Sequence, residues 1–243
     1  MSEPDDLPRV VVSHPKSGRT WLRFMLAHAL SSRPVTTLRD CAVAVPDIER
    51  LTSPTAVAVT HEPHWLDRTP AGVVLLRDPG EILVSFYFHV TEHRLADRFE
   101  GSFVEFLDAD LGVSRLASFL FDVADRLDSG PTLLTYDDLL ADTAGTLGRA
   151  VGALGLTAST DRITDAARAA TFDAMREIEA ISPINDRFDV DRPNRNRVRA
   201  GRADRGAALL DTAGREEIRE RLADAVGPGL DALRVRLPGD WAL

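Results

Sequence analysis

The chain is poor in several residue types whose presence would define a function class. A single cysteine, Cys41, excludes an internal disulfide and fits a reducing compartment. No Cys/His cluster has metal-site spacing, so no metal is expected. The opening residues, Met1–Asp6, are acidic, and the first apolar run is too short for a signal peptide or a membrane span. A cytoplasmic protein without a membrane partner is the expectation. The formal net charge of −9 argues against a general nucleic-acid binder. No internal repeat or low-complexity tract is visible. With 44% hydrophobic and 28% charged residues over 243 positions, the chain has the means for a sizeable core, and one domain over residues 1–243 is expected.

What is there alternates. Short β-branched runs at 9–13, 56–60, 72–77 and 131–135 read as strands. Helical stretches are expected at 19–31, 79–96, 103–110, 113–127, 143–154, 160–181 and 211–226. That alternation implies a three-layer α/β fold, a central parallel sheet flanked by helices, with ligands at the strands' C-terminal ends. Residues 183–205 form the longest irregular stretch and read as a flexible basic loop or lid.

Three segments concentrate candidate chemistry. In the first, Arg9–Ser13 is a buried strand, His14–Gly18 a tight turn and Trp21–Leu30 a buried helix. Strand, loop and helix start make an anion cradle, because loop N–H groups and the helix N-terminus face the same spot. Lys16 adds a mobile charge, and Ser17 and Thr20 add hydroxyls. The nucleotide P-loop pattern, Gly-x4-Gly-Lys-Ser/Thr, fits only partly: with its second Gly on Gly18, Arg19 takes the lysine position and Ser13 the first glycine. In the second, strand Gly72–Arg77 runs into Asp78-Pro79-Gly80-Glu81. Asp78 suits the N-cap and Pro79 the first helical position, with Glu81 at the capping-box place. Ser85 lies seven residues after that cap, about two turns on and on the same face, so Arg77 and Ser85 could grip one anion. The third holds arginines 187, 192, 195, 197, 199, 202 and 205. These locally basic segments in an acidic chain point to a phosphate or sulfate ester.

The order Pro15-Lys16-Ser17-Gly18-Arg19-Thr20-Trp21 resembles the phosphosulfate loop of the cytosolic-type sulfotransferases, roughly Pro-Lys-Ser/Ala-Gly-Thr/Asn-Thr-Trp, with Arg19 at a variable position. Arg77 to Ser85 is similar to that family's Arg-Asn/Asp-Pro element with a serine at the same spacing. Arg199-Ala200-Gly201 resembles its late Arg-basic-Gly, with Ala200 replacing the second basic residue and Asp204-Arg205-Gly206 standing where Gly-Asp-Trp often follows. Tyr136 in Thr132–Tyr136 and Phe172 in Ala170–Met175 fall on weaker matches.

The resemblance implies a P-loop-like sulfotransferase fold. It implies 3′-phosphoadenosine 5′-phosphosulfate (PAPS) as donor co-substrate, with Lys16, Ser17, Gly18, Arg19, Thr20 and Trp21 on its phosphosulfate. Arg77, Ser85, Arg199 and Gly201 would hold its 3′-phosphate, and Tyr136 and Phe172 would flank its adenine. Thr60-His61 resembles the family's Lys-Thr-His, with Val59 in place of the lysine, and implies His61 as the base that takes the acceptor's proton. Imidazole suits that work, since its unperturbed pKa of about 6.5 is close to working pH. His64, His89, His93 and Glu62 compete for the role. Phe86, Tyr87, Phe88, Phe99, Phe103 and Phe106 either line an acceptor pocket or fill the core.

The implied activity is sulfuryl transfer to an alcohol or phenol of a small molecule or natural product. Lys16 would meet the charge that builds as the S–O bond breaks. Alanine- and arginine-rich composition suggests a high-GC bacterial genome, and the resemblance then implies a place in secondary metabolism. A homodimer is compatible with the sequence. The alternatives are a P-loop-type kinase, with Asp78 as its magnesium-binding acid, and a non-catalytic binder of PAPS or of PAP, the donor without its sulfuryl group.

Overall fold

The computed structural model describes residues 9–32, 35–36, 44–45, 57–69, 71–92, 98–181 and 209–236, with 44–45 and 181 described by backbone alone. Five strands form one sheet: β1 (Arg9–Ser13), β2 (Ala44–Val45), β3 (Val57–Thr60), β4 (Gly72–Leu76) and β5 (Thr132–Thr135). Their order across the sheet is β2-β3-β1-β4-β5, and every neighbouring pair is parallel. The register sets Val11 beside Val59 on one side and Val73 on the other.

Both faces of the sheet are covered, so the strands read as unbroken apolar runs. The side chains of a strand alternate between faces. Val10, Val12, Ala58, Val74 and Leu76 enter one core with α2 (Pro79–Glu92), α3 (Phe103–Asp108), α4 (Val113–Ala124), α9 (Thr212–Val226) and α10 (Pro228–Arg236). Val11, Val57, Val59, Val73, Leu75 and Leu134 enter the other with α1 (Arg19–Leu30), α5 (Tyr136–Ala141), α6 (Thr143–Ala153), α7 (Thr160–Ala169) and α8 (Phe172–Ile181). Each fully buried Val or Leu contributes roughly 1.5–3 kcal/mol, so the two cores fix the sheet and hence the positions of the loops at its edge.

The expected strands and helices are present, with three informative differences. The stretch 160–181 is two helices. The Ala170 carbonyl accepts the Trp21 Nε1–H at 2.7 Å, and Thr171 opens α8, its Oγ1 accepting the Ala174 N–H at 3.4 Å. Helix α5 follows β5 at once through a capping box in which Thr135 and Asp138 satisfy each other's N–H groups. Helix α10 and the two-residue β2 add to the expected set. Asp78 caps α2 as expected, its Oδ1 accepting the Glu81 N–H at 2.8 Å. No helix among the described residues is long and apolar enough to cross a membrane.

Candidate active site

Because β3, β1, β4 and β5 are adjacent and parallel, the residues that follow them emerge along one edge. In that order they are His61, the 14–18 loop, Arg77 and Tyr136. The sheet therefore brings together residues separated by up to 122 positions.

The loop is tight. The Ser17 N–H donates to the His14 carbonyl at 3.3 Å, and the Trp21 and Leu22 N–H groups donate to the Gly18 carbonyl. Lys16 (φ 76°) and Gly18 (φ 92°) both take the left-handed conformation, which an L side chain adopts only at a cost. At Gly18 a side chain is also excluded by space, since a Cβ would meet the Tyr136 ring at 2.5 Å. Lys16 carries its side chain in spite of that cost, and it is the only lysine in the chain. Helix α1 has no acidic residue in its first turn and no side-chain cap, which leaves its positive end for an anion. Ser17 Oγ is buried with no hydrogen-bond partner. A phosphosulfate group fits this cradle on those two counts: N–H groups without a cap and a buried hydroxyl without a partner.

On one flank, Arg77 braces the loop. It donates to the Lys16 carbonyl at 3.1 Å and lies 4.5 Å from the Tyr136 ring centroid. It also stands 3.6 Å from Glu81, whose other oxygen pairs with Arg215 at 3.0 Å. Tyr136 meets Trp21 edge-on. The bond from Trp21 to Ala170 stands just before α8, whose first residue, half-buried Phe172, has the Arg176 guanidinium 5.7 Å from its ring centroid. Ser85 is half-buried on α2. Arg199 and Gly201 lie outside the described residues, as does the 183–205 segment.

On the other flank, the His61 Nδ1–H donates to the Ser13 carbonyl at 2.6 Å. A carbonyl only accepts, so Nδ1 carries the proton and Nε2 keeps its lone pair. The His61 pKa is lowered to about 3, first by burial and then by the Arg19 guanidinium, against the raising effect of the Ser13 bond; His14 and Arg115 lower it further. This environment replaces the near-neutral pKa expected for an unperturbed imidazole. His14 is fully buried against Phe86 and Phe119, and its own pKa is lowered to about 4 by that burial. Arg19 donates to the Val59 carbonyl at 3.3 Å.

The competitors sit elsewhere. Glu62 and His64 are exposed, 3.7 Å from each other, with Glu62 also accepting the Trp65 Nε1–H. His89 stacks on Phe86, and His93 lies outside the described residues. Tyr87, Phe99, Phe103 and Phe106 interlock with one another, and Phe86 meets His14 of the loop edge-on. Asp78 is committed to capping α2 and to an ion pair with Arg215 at 3.2 Å. That leaves the kinase alternative without its acid. His14, Arg115 and Arg215 escaped the sequence reading. His14 reads there as part of a polar turn, and the two arginines carry no local signal inside amphipathic helices.

Solved structures share the fold. The crystal structure of mouse sulfotransferase SULT7A1 complexed with PAP matches with a TM-score of 0.66 at 16% identity, over 96% of this chain and 89% of that one. Retinol dehydratase in complex with androsterone and inactive cofactor PAP matches at 0.63 and 18%, over 93% and 82%. Retinol dehydratase with retinol and PAP matches at 0.62 and 18%, over 95% and 82%. No curated protein sequence gives a significant match. The sulfotransferase domain model matches residues 6–205, which takes in the loop, His61, Arg77, Tyr136 and Phe172 alike; the chain belongs to the sulfotransferase family and is a sulfotransferase.

Proposed function

We propose that the protein transfers the sulfuryl group of PAPS to a hydroxyl of a small-molecule acceptor, with His61 as base and Lys16 as the charge that meets the leaving oxygen. The observation that carries this reading is the bond from His61 Nδ1 to the Ser13 carbonyl, which leaves the Nε2 lone pair beside the strand that bears the Lys16 loop. The SULT7A1 and retinol dehydratase structures, which contain PAP, support the choice of nucleotide.

The donor supplies an activated sulfuryl group. The protein does the rest by position and charge. Loop N–H groups, the α1 N-terminus and Ser17 hold the phosphosulfate, and Thr20 and Trp21 extend that contact. Arg77, Ser85, Arg199 and Gly201 take the 3′-phosphate. Tyr136 and Phe172 flank the adenine. His61 takes the acceptor proton on Nε2 while the acceptor oxygen bonds to sulfur and the S–O bond to the 5′-phosphate breaks. A lowered pKa keeps that lone pair available, and donor charge brought near Arg19 raises its basicity in the loaded site.

Calorimetry tests the donor. PAP should bind about tenfold or more tighter than AMP, since charge-assisted contacts to the 3′-phosphate contribute about 1.5–3 kcal/mol each. Equal affinities would remove the reading. His61→Ala should cut transfer to 2-naphthol by about 10²–10⁴ with PAP affinity near wild type. The same loss from His64→Ala, with His61→Ala active, would move the base.

A further inference from the structure

Two departures from the family's sequence pattern touch each other. The pattern carries a lysine directly before Thr-His, where this chain has Val59. The loop carries an arginine, Arg19, at a position the pattern leaves variable. In the fold Arg19 donates to the carbonyl of Val59 itself, at 3.3 Å. Val59 is the last residue but one of β3 and His61 follows the strand directly, so the guanidinium held on the Val59 carbonyl stands two residues ahead of His61. The Val59 side chain is buried in the core with α1 and carries no charge. Arg19 stands at the first position of α1 and reaches back over that strand.

We propose that Arg19 supplies from the loop the cation that this family places on the strand, and that its guanidinium contacts the sulfuryl oxygens on the His61 side. This rests on the sulfuryl-transfer reading above. As the acceptor O–H proton passes to His61 Nε2, the acceptor O–S bond forms and the S–O bond to the 5′-phosphate breaks. The guanidinium keeps its protons throughout and offsets the charge spread over the transferring group. Lys16 meets that charge at the leaving oxygen, so the sulfuryl group lies between two cations. Burial of His61 beside a permanent charge is consistent with the arrangement: Arg19 is the strongest of the charges acting on that imidazole.

The test compares PAPS with PAP, which lacks the sulfuryl group. Arg19→Gln keeps a donor for the Val59 carbonyl and removes the charge; Arg19→Lys keeps the charge. By calorimetry, Arg19→Gln should weaken PAPS binding about tenfold while changing PAP binding less than about threefold, and Arg19→Lys should stay near wild type for both. Turnover of 2-naphthol should fall by about 10²-fold in Arg19→Gln, and the double variant Arg19→Gln/Val59→Lys should recover at least about tenfold of it. Should the buried lysine prevent folding, the Gln and Lys variants still decide by their PAPS-to-PAP affinity ratios. Unchanged PAPS binding in Arg19→Gln, or equal weakening of both nucleotides, overturns the proposal and makes Arg19 a structural tie. Failure of the wild type to prefer PAP over AMP overturns the donor reading itself.

Discussion

The Tyr136 ring lies against the backbone of Gly18 so closely that a Cβ there would come within 2.5 Å of Cδ2 and 2.8 Å of Cε2. Gly18 also has φ 92°. Two independent constraints thus meet at one residue, and they join the loop after β1 to the helix after β5. Gly18→Ala should lower stability by about 1–3 kcal/mol and weaken PAP binding by about tenfold or more, because the loop must shift to admit the methyl. Urea denaturation and calorimetry check the two effects. In a Tyr136→Ala background the steric part disappears and the left-handed part stays, so a second Gly18→Ala step should cost less there. A cost equal to that in the wild type would mean that the ring does not press on the loop.

Lys16 sets a stability effect against an activity effect. Its φ of 76° is unfavourable for any residue with a Cβ, and the loop keeps it. Replacing it with glycine removes that strain, worth about 1 kcal/mol, while glycine loosens the unfolded chain by a comparable amount. Lys16→Gly should therefore be at least as stable as Lys16→Ala, and both should lose about 10²–10³ in kcat with smaller changes in PAP affinity. A glycine variant less stable than the alanine one would show that the left-handed conformation at position 16 stores less strain than glycine's extra freedom costs. Because the chain has no other lysine, an amine-acylating reagent should modify only Lys16 and the N-terminal amine, and PAP should slow the Lys16 reaction. Peptide mapping reads this directly.

Acid should destabilise the protein through two histidines. His14 has its pKa lowered to about 4 and His61 to about 3, both first by burial. In the unfolded chain both return to about 6.5. Between the folded and unfolded values the unfolded chain binds protons that the folded one refuses. Their stabilising share is therefore complete above about pH 6.5 and is lost as pH falls toward 4, by up to about 1.4 kcal/mol per pH unit for each histidine. Urea midpoints measured from pH 7.5 to 5 should show that decline. His14→Gln, which cannot titrate, should make the slope shallower, and an unchanged slope would show that His14 is accessible in the folded state.

Much of the fold is legible in the sequence. The four longer strands are β-branched runs with clear punctuation, and the Asp78-Pro79 start of α2 is a local signal that the fold keeps. The order of the strands was not readable, because pairing is decided by long-range packing; it is that order which puts His61 and Arg77 on opposite flanks of the loop. Helix α5 hid because six residues show no periodicity and its capping box uses Asp138 in place of Glu or Gln. The break at Ala170 depends on an indole 149 residues away. The place of His61 just after a strand is readable from the sequence, but its low pKa is not, since that value comes from burial and from Arg19, His14 and Arg115 converging in space.

The Arg77 flank carries the last test. Glu81 divides its carboxylate between two arginines: Oε1 pairs with Arg215 at 3.0 Å, and Oε2 stands 3.6 Å from Arg77. Arg215 also holds Asp78, the cap of α2, at 3.2 Å. All four side chains are only 18–28% exposed, so solvent screens them less than it would a surface pair. Removing Arg215 would leave Glu81 to draw on Arg77 alone, pulling that guanidinium from the Tyr136 ring and from the Lys16 carbonyl. Arg215→Ala should therefore cost about 1–2 kcal/mol of stability and weaken PAP binding severalfold without any contact to the nucleotide. With Glu81→Gln in place the pull on Arg77 is gone, so adding Arg215→Ala should leave PAP affinity unchanged while stability still falls. A double-mutant cycle on the PAP dissociation constant measures this coupling. Additive losses across the cycle would mean that Arg215 supports α2 without tuning Arg77.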